Sequence, residues 1–146
     1  MLPAGPWHSG RAKLHHLGYV VPAISRIAEA FAESVAASWD GRIIHDPLQR
    51  VRVAIFKPVE KGNPAFELVE PACEASPVSR FLKSGGGLHH VCYEIDDLEW
   101  GLKEMRRAGF VMISPPKPAV AFGGRRIAWI YSKSRVLMEL LERDPK

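Results

Sequence analysis

A sequence repeat is the feature that most constrains how this chain can fold. Residues 14–19, with the sequence LHHLGY, return as residues 88–93 with the sequence LHHVCY, 74 positions later. Residues 66–70, FELVE, return as residues 138–142, MELLE, 72 positions later. Both offsets are about half of the 146 residues. The sequence therefore predicts two copies of one structural unit, each with a His near its start and a Glu near its end.

Length and composition predict one soluble domain over residues 1–146. An apolar content of 47% and a charged content of 25% are typical of a globular protein. No apolar run approaches the roughly 18 residues that a membrane-spanning helix needs. Residues 1–13 contain no apolar stretch before a cleavage site, so we expect no signal peptide. The two cysteines form no CxxC motif, which favours a cytoplasmic protein with reduced thiols.

The modest positive charge points to a small anionic substrate. The formal net charge is +4 and the basic residues are dispersed. No basic stripe interleaved with aromatic residues occurs, so the sequence argues against nucleic acid as a partner. A few cations near a cleft raise the local concentration of an anionic small molecule.

Each half of the chain is predicted to contain one strand, one helix and then three strands. Residues 14–21 form the first strand, and a helix over 23–38 carries apolar residues at helical spacing. A turn at 39–41 follows. The remaining strands of this half are expected at residues 42–45, 51–57 and 65–70.

The second half is predicted in the same way after a linker over residues 72–87. The linker contains a short helix opened by Ser76-Pro77 and a hinge over residues 84–87. Asp97 is expected to cap a helix that ends near Gly109. The strands are expected at residues 88–95, 110–114, 126–131 and 136–141. The fold class is thus α+β, with βαβββ modules over about 14–71 and 88–142 forming an open, barrel-like mixed sheet around a cavity.

Strand alternation places four repeated side chains on the cavity face. Successive residues of a strand point to opposite faces. In both copies the bulky apolar neighbours share one face, which leaves the other face to the His and the Glu. The four residues are His16, Glu67, His90 and Glu139. A carboxylate in such an apolar strand is costly to bury without compensation, and a metal ion provides it.

Two imidazoles and two carboxylates are suitable ligands for a divalent metal ion. The set suits Co²⁺, Ni²⁺, Mn²⁺, Fe²⁺ or Zn²⁺ and leaves positions open for a substrate, which indicates catalysis. His15 and His89 are adjacent competitors, but strand alternation favours His16 and His90. Glu70 and Glu142 also repeat. They lie near strand ends with the opposite alternation, so we expect them to face solvent.

The duplicated motif with these four ligands resembles the vicinal oxygen chelate superfamily, over residues 14–142. Within it, residues 14–21, 87–97 and 136–140 are most similar to the methylmalonyl-CoA epimerase branch. The resemblance implies a metal-dependent epimerase or isomerase that removes and returns a proton next to a carbonyl of a chelated acyl substrate, with methylmalonyl-CoA the best guess. It also implies a homodimer.

Two acid/base groups on opposite sides of the reacting carbon are needed for such a reaction. The resemblance assigns one of these roles to Glu139, which also binds the metal. Residues 51–57 contain no carboxylate, so Glu94 is the candidate for the second group and Asp46 is the other nearby acid. Residues 121–126 and the short connection at 132–135 depart from the epimerase pattern around the substrate mouth.

Other activities of the same superfamily remain open from the sequence. A glyoxalase-I-like lyase uses the same four ligands, although no glutathione-specific motif is visible. A ligand-sequestering, resistance-type protein is the non-enzymatic alternative, but such members usually lose the ligands that this chain keeps. An extradiol dioxygenase would need catechol-cleaving residues that we do not find, and a tailoring enzyme for an activated sugar or acyl unit is the remaining class.

Overall fold

A computed structural model describes residues 10–144, and those residues form nine strands, three α-helices and one short 3₁₀ helix (Val120–Phe122) in an α+β arrangement. The helices are α1 (Ile24–Ser34), α2 (Ser79–Lys83) and α3 (Leu98–Arg107). The strands are β1 (Ala12–Val20), β2 (Ala37–Trp39), β3 (Ile44–Asp46), β4 (Val51–Pro58), β5 (Ala65–Pro71), β6 (Gly87–Ile95), β7 (Val111–Pro118), β8 (Arg126–Tyr131) and β9 (Leu137–Glu142). Apart from β2, which was not predicted, the predicted order of strands and helices is confirmed. No described helix is long and apolar enough to cross a membrane.

The chain divides into two compact units. The amino-terminal unit contains residues 16–89. Its sheet has β5 between β1, which is parallel to it, and β4, which is antiparallel. The short strands β2 and β3 pair with different parts of β4, so together they complete one edge.

The carboxy-terminal unit contains residues 90–144 together with 10–15. Its sheet has the same plan, with β9 between the parallel β6 and the antiparallel β8. Strand β7 pairs with β8 at the edge, and its register shifts near Ser114. The two modules that the repeat predicts are therefore present.

The registers of the two parallel strand pairs match across the repeat. In the amino-terminal unit Gly18 is paired with Glu67, and in the carboxy-terminal unit Cys92 is paired with Glu139. Gly18 and Cys92 each lie two residues after the predicted ligand histidine. In each unit the His and the Glu consequently share one face of neighbouring strands.

Several predicted elements have the wrong bounds, most clearly the first helix and strand β7. The first helix was expected to reach residue 38, but α1 ends at Ser34 and residues 37–39 form strand β2. The chain reverses at Ala36, which adopts a φ of 48°. β2 is stabilised by pairing with β4, which local helical periodicity does not reveal. Strand β7 also continues past Ser114 to Pro118, because edge strands tolerate proline.

An aromatic cluster forms the core of the amino-terminal unit. The side chain of Phe56 is fully buried, and its ring lies 5.2 Å from that of Phe31 on α1 and 5.8 Å from that of Trp39 on β2. Fully buried Ile24 and Leu68 pack in the same cluster. This packing holds α1 on one face of the sheet and leaves the opposite face to Glu67.

Replacing Phe56 with alanine is expected to lower the free energy of unfolding by about 3–5 kcal/mol. The substitution leaves a cavity, and the surrounding side chains of the aromatic cluster cannot move together to fill it. Urea denaturation followed by circular dichroism measures the change. Val59→Ala is the control, since Val59 is 74% exposed and its loss should change stability by less than about 0.5 kcal/mol. Equal effects of the two substitutions would contradict this account of the core.

The carboxy-terminal unit buries both faces of its sheet. Helix α3 covers one face through Leu98, Leu102 and Met105, which pack with Leu140. The opposite face carries a separate apolar cluster of Cys92, Ala119, Ile127 and Leu141, with Trp129 packed against it. Gly101 lies where α3 meets β6, and a Cβ there would displace the end of the Ile95 side chain.

Candidate metal centre

The amino-terminal unit brings its predicted ligands, His16 and Glu67, together. Nε2 of His16 lies 3.7 Å from Oε1 of Glu67. His16 is fully buried and Glu67 is 5% exposed. Both belong to a group of side chains with ligand atoms placed to hold a metal ion. Strand pairing explains the geometry, because β1 and β5 are neighbours and present the two side chains on one face.

The carboxy-terminal unit repeats this arrangement with His90 and Glu139. Nε2 of His90 lies 3.9 Å from Oε1 of Glu139, and each residue is 3% exposed. The ring of Trp129 stands edge-on to that of His90, with 4.8 Å between the ring centroids. Trp129 is directly opposite Glu139 on the neighbouring strand. The indole therefore packs against the imidazole.

In each His–Glu pair, the distance between the two ligand atoms fits two ligands of the same metal ion. Nitrogen and oxygen ligands lie about 2.0–2.2 Å from Zn²⁺, so two of them on one ion are separated by about 3–4 Å. Both pairs fall in this range and lie beyond ordinary hydrogen-bond length. A buried carboxylate also needs a compensating positive charge or donor. The donors of each unit therefore suit a divalent cation.

The competing histidines are packed against aromatic rings. The ring of His15 lies 5.4 Å from that of Phe122, and the ring of His89 lies 4.8 Å from that of Phe81. Both histidines are half-buried. They alternate with His16 and His90 along their strands. His15 and His89 thus each contact an aromatic ring, and the preference for His16 and His90 as ligands stays a prediction from strand alternation.

Glu94 lies on the same face of β6 as His90 but at a distance along the strand. Four residues of a strand span about 13 Å. Its carboxylate accepts a hydrogen bond of 2.8 Å from Arg125 and lies 3.5 Å from Nε of Arg143. Burial raises the pKa of Glu94, but the hydrogen bond and charge of Arg125, with the charges of His15 and Arg143, lower it below its usual value overall. The group is held ionised near neutral pH.

Sequence reasoning did not identify Arg125 as the partner of Glu94 or Trp129 as a neighbour of His90. The first contact joins residues 31 positions apart, and Arg125 also donates to the backbone oxygen of Glu142. Strand alternation in residues 126–131 could have placed Trp129 on the face of the predicted ligands. For Arg125 the sequence offers only its position after Gly123-Gly124, in the segment that departs from the epimerase pattern.

Asp46, the other acid offered for proton transfer, is 2% exposed and ends β3. Its Oδ1 accepts a hydrogen bond from the backbone N–H of Gln49, and its Oδ2 accepts one from the side-chain amide. These bonds close the turn between β3 and β4. Stabilisation of this turn explains why the Asp46 carboxylate is buried.

The prediction that Glu70 and Glu142 face solvent is wrong for the first and incomplete for the second. The side chain of Glu70 is 13% exposed and accepts a hydrogen bond from the N–H of Ile24 at the start of α1. It also pairs with Arg52 at 3.1 Å. Glu142 is 30% exposed and pairs with Arg126 at 2.8 Å. Each charge finds a partner from another element, which strand alternation alone does not show.

The pair of Glu142 and Arg126 is expected to make stability fall in acid. Hydrogen bonds from Arg126 hold the pKa of Glu142 below its usual value, although burial raises it, and the same contact raises the pKa of Arg126. The unfolded state therefore binds the proton more readily. The stabilisation is complete above the ordinary glutamate pKa, about 4.3, and disappears as pH falls through the lower folded value.

This dependence is measured by urea denaturation of the wild type and Glu142→Gln between pH 7 and pH 3. The difference in stability between the two proteins should shrink as the pH falls. Glu33→Gln, at an exposed site on α1, is the control. A difference that is constant across this range would show that the ion pair does not contribute.

Comparison with known proteins gives the family. Residues 15–129 match the model of the Glyoxalase/Bleomycin resistance protein/Dioxygenase superfamily. The chain belongs to this superfamily. The match spans most of both modules, and the resemblance inferred from the repeated ligands is thereby confirmed.

Relatives of this chain within the superfamily are named methylmalonyl-CoA epimerases. The mitochondrial methylmalonyl-CoA epimerase of Bos taurus is 32% identical over 123 residues, which cover 82% of this chain and 67% of the relative. The crystal structure of methylmalonyl-CoA epimerase from Mycobacterium tuberculosis has a TM-score of 0.80 and 23% identity, covering 99% of this chain and 94% of the other. The predicted α+β fold of the superfamily is confirmed.

A solved epimerase has also been captured with an acyl-CoA analogue. It is a methylmalonyl-CoA epimerase variant of Streptomyces coelicolor in complex with 2-nitronate-propionyl-CoA. Its TM-score is 0.76 and its identity 24%, covering 89% of this chain and 96% of the other. The same fold therefore accommodates an acyl-CoA molecule in that protein.

Proposed function

We propose that this protein is a metal-dependent acyl-CoA epimerase, with methylmalonyl-CoA as its substrate. The observation that carries the proposal is the pair of equivalent, buried His–Glu contacts at repeated positions. A purely structural fold does not require two such pairs, since burying four ionisable side chains is costly. The epimerase names of the relatives support the substrate and the reaction.

In this proposal His16, Glu67, His90 and Glu139 bind one divalent ion. The two neutral imidazoles and two carboxylates balance its charge, and the donor types are compatible with several transition metals. The ion would supply Lewis-acid polarisation of the thioester carbonyl next to the reacting carbon. The four side chains would also fix the position of that carbonyl relative to the proton acceptor.

Glu139 is proposed to accept the α-proton. Its carboxylate is buried beside Trp129, where little water competes for the proton, and it lies on the face of β9 opposite the α3 core. Return of a proton from the other side of the carbon inverts the configuration. Glu94 is the candidate for that second group, although it lies four residues from His90 along β6 and accepts a hydrogen bond from Arg125, so its part in the reaction needs a direct test.

The experiment that tests this function follows the α-proton of methylmalonyl-CoA in D₂O by NMR, with Co²⁺-loaded protein. We expect loss of the α-proton signal at least about 100-fold faster than with a Glu139→Ala variant, the lower range for general acid–base catalysis. A metal-loaded wild-type protein that does not exceed the variant would reject the epimerase activity. Glu94→Gln tests the second role, since loss of inversion with retained exchange on one face identifies a second acid/base group.

A further inference from the structure

A groove of about 870 Å³ lies in the carboxy-terminal unit beside α3 and is not part of the proposed metal centre. Its apolar lining comes from Leu102 of α3 and from Met112 and Pro116 of β7. This volume lies within the range of small-molecule sites, about 300–1,000 Å³. The groove thus combines ligand-sized space with an apolar surface.

Strand alternation places the groove and Glu139 on opposite faces of the same sheet. Arg126 lines the groove and shares its face of β8 with Ala128 and Ile130, which pack against α3. Trp129 alternates with them and is directly opposite Glu139. A molecule in the groove is therefore separated from Glu139 by the sheet.

Four cationic side chains line the groove. Arg106 and Arg107 lie three and four residues after Lys103 on α3, so both are its neighbours on one side of the helix. Arg126 joins them from β8. The single acidic residue of this lining is Glu99, which pairs with Arg126. The groove consequently carries an excess of positive charge.

Two of these cations are not neutralised within the described part of the chain. Arg126 is paired with Glu99 and Glu142, and Arg107 lies 3.5 Å from Glu104. Neither Lys103 nor Arg106 forms an ion pair with any residue between 10 and 144, and both are exposed. Like charges close together on one helix destabilise it slightly, so an anion that neutralises them is favoured.

We propose that this groove binds a nucleoside diphosphate group. Guanidinium and ammonium groups donate to phosphate oxygens, and arginine does so through two parallel hydrogen bonds. The apolar side of the groove, with the thioether of Met112 and the ring of Pro116, accommodates a flat base. This chemistry is shared by a free nucleotide and by the nucleotide end of coenzyme A. The inference does not depend on the proposed epimerase activity.

Isothermal titration calorimetry with ADP at low ionic strength tests the site. One ADP should bind per chain, and the double variant Lys103→Glu/Arg106→Glu should raise the Kd by at least about tenfold. Arg80→Glu is the matched control, because Arg80 is an exposed arginine of the amino-terminal unit and leaves the groove intact. Its Kd should stay within about twofold of the wild type.

Further titrations distinguish the two sources of the ligand. Displacement of ADP by coenzyme A would identify the nucleotide end of the coenzyme as the ligand, whereas ADP binding unaffected by coenzyme A would identify a free nucleotide. Because both substituted side chains are exposed, an unchanged circular dichroism spectrum checks the fold. Equal Kd values for the double variant and the wild type, equal weakening by Arg80→Glu, or absence of ADP binding would each overturn the site.

Discussion

Glu139→Ala is expected to remove the bound divalent ion and to lower α-proton exchange in methylmalonyl-CoA by at least about 100-fold. The same carboxylate is proposed as a metal ligand and as the proton acceptor, so its loss affects two steps. Glu139 is 3% exposed, and its carboxylate lies 3.9 Å from Nε2 of His90. Metal content by mass spectrometry and exchange by NMR are the two measurements.

Glu142→Gln is the matched control for this substitution. Glu142 lies three residues further along β9 and pairs with Arg126, not with the histidine of the site. The control should retain metal and exchange at neutral pH. If Glu139→Ala retained both metal and exchange, the proposed centre would be incorrect. If it retained the metal and lost only exchange, Glu139 would be a proton acceptor outside the metal shell.

His16→Ala and His90→Ala are each expected to reduce the metal content from one ion per chain to near zero. The proposal places both histidines on a single ion, and loss of either removes one of the four ligands that hold it. The reduction should be similar for the two variants because the repeat places the residues at equivalent positions. Metal content after dialysis against a weak chelator measures it.

His45→Ala is the control, since His45 is an exposed histidine of β3 and its removal should leave one ion per chain. Two ions per wild-type chain, with one ion retained in His16→Ala and one in His90→Ala, would show that the His–Glu pairs bind separate ions. That result would leave each metal with too few protein ligands for the proposed chemistry. Full retention of metal by either variant would exclude that histidine as a ligand.

Most of the fold could be predicted from the sequence repeat. Matching HH motifs and matching Glu residues predicted two modules, and alternation in the strands placed His16 and Glu67 on one face, as it did His90 and Glu139. The observed registers agree, with Glu67 opposite Gly18 and Glu139 opposite Cys92. These features depend on local strand geometry, which a period of two residues determines.

Features that depend on partners distant in sequence required the tertiary structure. The end of α1 depends on the reversal at Ala36 and on pairing of β2 with β4. Glu70 caps α1 from 46 residues away, and Arg125 reaches Glu94 across 31 residues. Neither contact leaves a periodic pattern in the sequence, since each requires only two complementary groups that the fold brings together.

The sequence by itself determined the duplicated architecture and the four candidate ligands, because repetition and strand alternation are local properties of the chain. Only the tertiary structure decided which carboxylates are neutralised by arginine. It also decided where Lys103, Arg106 and Arg126 form a common groove. Such charge arrangements depend on distances between elements, because the interaction of two charges weakens as their separation grows.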